Sequence, residues 1–275
     1  MEFKEFGRTG RKVSEIGMGT YYDPAWIATG FVGWKRGRAQ KVDALKAGLE
    51  CGISLIDTAE IYQSEPLVAE AIRGHKRDGL FLATKVWSNH LRRDAVIKSL
   101  EGSLRRLETA YVDLYQVHFP SGSVPIGETM SAMEELVSQG KVLAVGVSNF
   151  NIEQLKEANA SLKKSQLASI QMPYNLVNRS VERDILPYCD QEGIAVMAYY
   201  PLAHGRLTAS DSRASELSAK YSKSESQLAL RWLSQKRNVF PIPRASKRTH
   251  VQENASATGW ELAPEDSARL EEIFH

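Results

Sequence analysis

Eight short runs of apolar and β-branched residues recur along this chain, and apolar residues at helical spacing separate them. The runs cover residues 13–19, 53–57, 80–86, 112–118, 142–148, 167–172, 194–200 and 239–243. Strand alternating with helix is typical of a parallel sheet, because each parallel connection needs a crossover. Eight such units favour closure into a barrel over an open doubly wound sheet. We therefore predict one α/β domain over residues 1–275, a (β/α)8 TIM barrel.

Helix signals between these runs agree with the alternation. Apolar residues share one helical face at positions 96, 100, 104 and 107, and another at positions 42, 45 and 49. Asn151 followed by Gln154 predicts a capping box that opens a helix. Gly52 and Gly193 stand where a helix is expected to end before the next strand.

The two ends of the barrel carry their own signals. The first ~12 residues contain the turn-like sequence GRTG at 7–10, which predicts an N-terminal β-hairpin closing the bottom of the barrel. The eighth run is the weakest strand, because Pro241 and Pro243 cannot donate to a sheet and are tolerated only near its end.

Composition excludes several classes of protein. The chain is 43% apolar and 25% charged with a net charge of +2, so it is neither disordered nor marked by a nucleic-acid or membrane-binding basic tract. Cys51 and Cys189 are too few for a disulfide framework or a thiolate metal site. No signal-peptide core and no run of ~20 apolar residues is visible. We expect a cytoplasmic protein that acts on small molecules.

Polar residues end the predicted strands with unusual regularity. In a β/α barrel the carboxyl ends of the strands form the active site, so these residues are candidates for chemistry. They are Asp57, Lys85, His118, Ser148 with Asn149, Gln171 and Tyr199.

Four residues make chemical sense together. Asp57 and Lys85 end adjacent strands and can form an ion pair. Such a pair would compensate for the unfavourable desolvation of a buried lysine. Tyr62 lies five residues beyond Asp57, and a nearby ammonium is expected to lower the pKa of its phenol until it serves as a general acid. His118 can orient a substrate oxygen or share the proton. The pattern contains no Cys/His cluster, carboxylate pair or nucleophile relay.

Seven ordered blocks resemble the signature sequences of the aldo-keto reductases. They are LIDTAEIY (55–62), LATKVW (82–87), DLYQVHF (113–119), VGVSNF (145–150), IQMPYN (170–175), YYPL (199–202) and IPRASKRTHVQEN (242–254). The resemblance implies reversible, NAD(P)H-dependent reduction of aldehydes and ketones to alcohols, without metal or flavin. It also implies the barrel fold and a monomer.

Carried over by position, the resemblance makes Tyr62 the acid that protonates the nascent alkoxide. Lys85 then lowers its pKa, Asp57 pairs with Lys85, and His118 orients the substrate. Ser148, Asn149 and Gln171 would bind the nicotinamide carboxamide, with the Tyr199 ring stacked on the nicotinamide. The remaining contacts implied for the nicotinamide ribose and the pyrophosphate are Gly19, Thr20, Tyr21, Tyr200, Pro201, Leu202, Gly205 and Leu207.

The last block bears on the choice of cofactor. Family members that use NADP carry a basic residue after the Ile-Pro of the final strand, and Arg244 occupies that position. A guanidinium beside a helix N-terminus suits a 2′-phosphate, so NADP(H) is favoured and NAD(H) is possible. The other residues implied at this end are Ile242, Ser246, Lys247, Arg248, His250, Glu253 and Asn254. At position 250 the family often has Arg or Gln, so His250 departs from its pattern.

The substrate pocket follows by the same analogy, with walls from Tyr21, Tyr62, Trp87, His118 and Phe119. Residues 22–39 are a long insertion after the first strand that carries Trp26, Phe31 and Trp34. It is interpreted as a lid or an aromatic pocket wall, with packing onto a neighbouring helix as the alternative. Two other functions stay open: a barrel that binds NADP(H) as a sensor with slight catalysis, and a metal-dependent hydrolase, for which ligands are lacking.

Overall fold

The computed structural model describes residues 1–31, 37–205, 207 and 212–274. Its strands are β1 (Phe3–Glu5), β2 (Lys12–Ser14), β3 (Met18–Gly19), β4 (Leu55–Asp57), β5 (Phe81–Val86), β6 (Val112–Val117), β7 (Val142–Ser148), β8 (Leu167–Pro173), β9 (Ala195–Tyr199) and β10 (Val239–Pro241). Its α-helices are α1 (Pro24–Phe31), α2 (Arg38–Glu50), α3 (Glu65–Ile72), α4 (Arg93–Leu107), α5 (Ile126–Ser138), α6 (Ile152–Ser161), α7 (Ile185–Glu192), α8 (Ser212–Tyr221), α9 (Glu225–Ser234), α10 (Arg248–Ala255) and α11 (Pro264–Ile273).

Strands β3 to β10 form one parallel sheet in chain order, with at least one α-helix between each strand and the next. The sheet closes on itself where β3 meets the last strand: the Gly17 amide donates to the Pro241 carbonyl at 2.9 Å, and the Gly19 amide to the Pro243 carbonyl at 3.1 Å. A Cβ on Gly19 would lie 2.7 Å from the Ile242 carbonyl oxygen, so glycine permits this approach. The (β/α)8 barrel prediction is confirmed.

The N-terminal hairpin covers the bottom of the barrel, as predicted. Strands β1 and β2 pair antiparallel with Phe3 opposite Ser14. Beyond β1, Phe6 is fully buried, and its ring centroid lies 4.6 Å from that of Phe81 and 4.9 Å from that of Phe240. Phe81 and Phe240 belong to barrel strands, so this aromatic cluster fills the end of the barrel opposite the strand carboxyl ends.

One predicted strand was wrong in its extent. The run 13–19 is divided: its first two residues belong to β2 of the hairpin, and only Met18 and Gly19 belong to the barrel strand β3. The chain must leave the antiparallel hairpin before it can enter the parallel sheet, and residues 15–17 make that change. The last strand ends at Pro241, in agreement with the limit set by its prolines.

The helix signals are confirmed. Asn151 and Gln154 form the capping box of α6, and Gly193 ends α7 in the left-handed conformation with φ 64°. Gly52 follows α2 with φ 85°. No helix within the described ranges is both long enough and apolar enough to cross a membrane.

Candidate active site

The polar residues at the strand ends converge on one large cavity of about 870 Å³ at the carboxyl end of the barrel. Parallel pairing brings them together: Gly19 lies opposite Asp57, and Ser148 opposite Gln171. The predicted site residues that line it are Gly19, Tyr21, Asp57, Tyr62, Trp87, His118, Phe119, Ser148, Asn149, Gln171, Tyr199, Tyr200, Pro201, Leu202, Gly205, Leu207, Ile242 and Arg244.

A buried ion pair lies at the base of this cavity. The Lys85 ammonium is fully buried and donates to both carboxylate oxygens of Asp57 at 2.7 Å and to the Thr58 carbonyl at 2.9 Å. Burial lowers the pKa of Lys85, and the charge and hydrogen bonds of Asp57 oppose that effect. The Gln171 amide also donates to Asp57, at 2.9 Å, so the carboxylate is held from two strands.

Tyr62 lies directly above the pair, at the end of a short 3-10 helix, Glu60–Tyr62. Its hydroxyl is 3.2 Å from Nε2 of His118, and the Lys85 Nζ is 4.9 Å from the centre of its ring. Burial raises the pKa of Tyr62 well above its usual value, and the negative charge of Asp57 raises it further. Our expectation of a lowered phenol pKa was therefore wrong, because burial, the larger cause, and the Asp57 charge both raise the pKa of this phenol. Tyr62 holds its proton at neutral pH, as a general acid must.

His118 is a neutral imidazole in this environment. Burial, followed by the nearby Lys85 charge, lowers the pKa of His118 to about 2. Its buried Nδ1 has no hydrogen-bond partner among the described residues, whereas its Nε2 meets the Tyr62 hydroxyl. The ring is packed edge-on against Trp87 and stacked on Phe119, with centroids 5.1 and 5.2 Å away.

Three side chains of the cavity, those of Ser148, Asn149 and Tyr199, form one hydrogen-bonded set with two backbone carbonyls. Ser148 Oγ donates to the backbone carbonyl of Gln171 at 2.9 Å, and the Tyr199 hydroxyl donates to Asn149 Oδ1 at 2.8 Å. The Asn149 amide in turn donates to the His118 carbonyl at 2.9 Å and to Ser148 Oγ at 3.0 Å. This network fixes the amides and the Tyr199 ring beside the catalytic candidates.

The same cavity is lined by Tyr200, Leu207 and the exposed Arg244, and this part of it is called the trough. The guanidinium suits a ligand that carries an anionic group. Gly205, which also lines this part of the cavity, has φ 80°, a conformation that glycine adopts without strain. Apolar and aromatic walls, amide groups and a guanidinium in one cavity fit a nicotinamide dinucleotide.

Several predicted contact residues lie outside this lining. The Thr20 hydroxyl is buried and donates to the Asp57 carbonyl at 2.9 Å, beneath the cavity. The Arg248 guanidinium binds Asp43 of α2 at 2.7 Å, and Glu50 as well. The other predicted residues outside the lining are Lys85, which acts from below, and Ser246, Lys247, His250, Glu253 and Asn254 around α10.

Other residues of the cavity wall were missed by the sequence reasoning. Four of the nine come from the insertion at 22–39, just before α1 or within it, and they support the pocket-wall interpretation. Trp34 and the side chain of Phe31 lie outside the described residues. Glu225 and Ser226 lie in the first turn of α9, whose start is signalled in the sequence by the capping box of Ser224 and Gln227. The missed residues are Tyr22, Asp23, Pro24, Ile27, Ile61, His204, Glu225, Ser226 and Pro243.

Within the described residues, no three His, Cys, Asp or Glu side chains are grouped as ligands for a metal ion. The predicted tetrad is instead brought together as one cluster: Asp57, Lys85, Tyr62 and His118 are linked through the contacts given above.

Comparison with known proteins agrees with this geometry. The sequence model of the Aldo/keto reductase family matches residues 15–275. The chain is 39% identical to the methylglyoxal reductase YeaE of Escherichia coli (strain K12), over 86% of this chain and 85% of that protein. It is 36% identical to the aldo-keto reductase YhdN of Bacillus subtilis (strain 168), over 100% of this chain and 94% of that protein.

Among solved structures, the aldo-keto reductase from Klebsiella pneumoniae in complex with NADPH superposes with a TM-score of 0.88 and 36% identity. The alignment covers 100% of this chain and 96% of that one. The eight-stranded barrel, the cluster at its carboxyl end and the family match over nearly the whole sequence agree. This chain belongs to the aldo/keto reductase family.

Proposed function

We propose that this protein reduces aldehydes and ketones to alcohols with NADPH, and that Tyr62 is the general acid. The observation that carries the proposal is the contact of 3.2 Å between the Tyr62 hydroxyl and His118 Nε2, above the buried Lys85–Asp57 pair and inside the large cavity. A general acid must carry its proton when the substrate binds, and Tyr62, whose pKa is raised by burial, is protonated at neutral pH.

Each member of the cluster has a separate part. NADPH, when bound, supplies the hydride. Tyr62 gives its proton to the oxygen of the substrate as charge develops there, and neutral His118 holds that oxygen with a hydrogen bond. The Lys85 charge stabilises the phenolate that remains on Tyr62, and Asp57 keeps Lys85 protonated despite its burial.

The trough offers a place for each part of the cofactor. Ser148, Asn149 and Gln171 would bind the carboxamide, and the Tyr199 ring would pack on the nicotinamide. Residues 200–202, Gly205 and Leu207 would follow the pyrophosphate. Arg244 would bind the 2′-phosphate, which favours NADP(H) over NAD(H).

The pocket beside His118 suits small carbonyl compounds with an apolar substituent. Trp87 and Phe119 pack on His118, and Ile27 and Ile61 also line the cavity. Methylglyoxal is a sensible first substrate because the related YeaE is a methylglyoxal reductase. We further propose that the protein works as a cytoplasmic monomer and mainly in the direction of reduction.

NADPH oxidation followed by absorbance tests the proposal. We expect turnover with members of a panel of methylglyoxal, aliphatic and aromatic aldehydes and ketones, faster with NADPH than with NADH and unchanged by a metal chelator. Tight NADPH binding without turnover of any carbonyl would contradict the reductase function and would favour a cofactor-sensing barrel instead.

A further inference from the structure

Helix α1 makes a direct contact with the backbone of the proposed acid. The Trp26 indole, which is 4% exposed, donates its Nε1–H to the carbonyl oxygen of Tyr62 at 3.2 Å. This bond joins residues 36 positions apart and crosses from the insertion after β3 to the 3-10 helix after β4.

The indole is itself held from several sides. The backbone amide of Trp26 donates to Asp23 Oδ1 at 2.7 Å, which fixes the first turn of α1. Its ring is packed edge-on against Tyr22 with centroids 5.7 Å apart, and the Lys41 ammonium lies 4.4 Å above it. These contacts come from the two residues just before α1 and from α2, so they hold Trp26 in a fixed position from which it can orient another segment.

Tyr62 needs support from a neighbouring element because the 3-10 helix that carries it is short. The 3-10 helix that carries it has three residues, one hydrogen bond from the Tyr62 amide to the Ala59 carbonyl, and a left-handed residue, Gln63 with φ 58°, immediately after it. The phenol must nevertheless meet His118 at hydrogen-bond distance. Misplacement of a reacting group by about 1 Å can cost up to ~100-fold in rate.

We propose that Trp26 is a positioning residue for the reduction: its indole holds the Tyr62 backbone so that the phenol meets the substrate oxygen beside His118. This inference rests on the proposed function. It gives the insertion at 22–31 a second role beside its contribution to the cavity wall, since Pro24 and Ile27 line the cavity while Trp26 acts behind Tyr62. Trp26 touches neither cofactor nor substrate and acts through Tyr62.

The test is a double-mutant cycle between Trp26→Phe and Tyr62→Phe. The first variant removes the indole N–H and keeps an aromatic ring; the second removes the phenol oxygen and keeps the carbonyl that Trp26 binds. We expect Trp26→Phe to lower kcat about tenfold in the parent with KM for NADPH changed less than about twofold. In the Tyr62→Phe background, single-turnover rates should change less than about twofold, because no phenol remains to be positioned.

Trp232→Phe is the matched control, since it also removes a buried indole hydrogen bond, here to Glu271 at 2.9 Å on the outer helices. It should lower the thermal midpoint and leave kcat unchanged. Asp23→Ala, which frees the first turn of α1 with the indole intact, should lower kcat in the same direction if Trp26→Phe fails to fold.

Equal losses of kcat in both Tyr62 backgrounds, or an unchanged kcat in folded Trp26→Phe, would overturn the positioning role. A parent protein that turns over no carbonyl would instead overturn the proposed function, and this inference with it, so the two failures are distinct.

Discussion

Lys85 is among the largest fully buried side chains of the protein, and its charge is tolerated because Asp57 binds it through both oxygens. Asp57→Asn would leave an ammonium without a counter-charge in the barrel. We predict a loss of about 3–5 kcal/mol in the free energy of unfolding, measured by urea denaturation. The double variant Asp57→Asn/Lys85→Met should recover much of that stability and remain inactive. Stability within about 1 kcal/mol of the parent for Asp57→Asn alone would show that the pair is not coupled as described.

The protonation states of Tyr62 and His118 predict how the rate depends on pH. The pKa of His118 is lowered to about 2, so it gains a proton only in strong acid, and the raised pKa of Tyr62 means that its proton is lost only at alkaline pH. Neither group changes state between about pH 5 and 8. We predict a flat profile of kcat/KM for reduction over that range at constant ionic strength. A step near pH 6.5 with the parent and not with His118→Asn would contradict a neutral, buried histidine.

Two arginines near the trough differ in what they can bind. Arg244 lines the cavity, whereas Arg248 is held by Asp43 and Glu50 on α2. Arg244→Ala should raise the Kd of NADPH about tenfold or more and change that of NADH little, measured by quenching of tryptophan fluorescence. Arg248→Ala, the matched control, should change both values less than about twofold. The reverse ranking of the two variants would assign the 2′-phosphate to Arg248.

At the scale of elements, the hairpin and the active site lie at opposite ends of the barrel. Phe6 fills the bottom between Phe81 and Phe240, and it lies outside the cavity lining. Phe6→Ala should therefore cost about 3–5 kcal/mol of stability by opening a void, with kcat at low temperature within about twofold of the parent. Calorimetry and steady-state rates check the two halves of this prediction. A large loss of kcat in the folded variant would mean that the two ends of the barrel are coupled.

The elements that the sequence predicted best were those in which local and global signals agree. The runs at 80–86 and 142–148 became β5 and β7 with little change, because each is apolar, β-branched and bounded by clear helix ends. The run 13–19 looked equally continuous, but its first residues belong to the antiparallel hairpin and its last residues to the parallel barrel sheet. The apolar pattern alone does not predict where the chain passes from one sheet to the other.

At the scale of the whole molecule, the strand ends predicted which residues converge, since parallel strands in a closed barrel leave their last residues at one mouth. The electrostatic environment of the residues at that mouth could not be predicted in the same way. The pKa of Tyr62 is raised by its burial and by the Asp57 charge, and the role of Arg248 depends on carboxylates about 200 positions away in sequence. The contact of Trp26 with Tyr62 likewise depends on the path of an insertion that periodicity does not define.

The central claim is that Tyr62 donates the proton in an NADPH-dependent carbonyl reduction. The most direct test compares kcat for Tyr62→Phe with that for the parent at saturating NADPH and methylglyoxal or the best aldehyde of the panel. Tyr115→Phe is the control, because it removes a fully buried phenol oxygen that binds the Val96 carbonyl away from the cavity. We predict that Tyr62→Phe lowers kcat by at least ~100-fold with NADPH affinity retained, and that Tyr115→Phe keeps the parent rate. A Tyr62→Phe variant that binds NADPH and turns over within about twofold of the parent would contradict the claim.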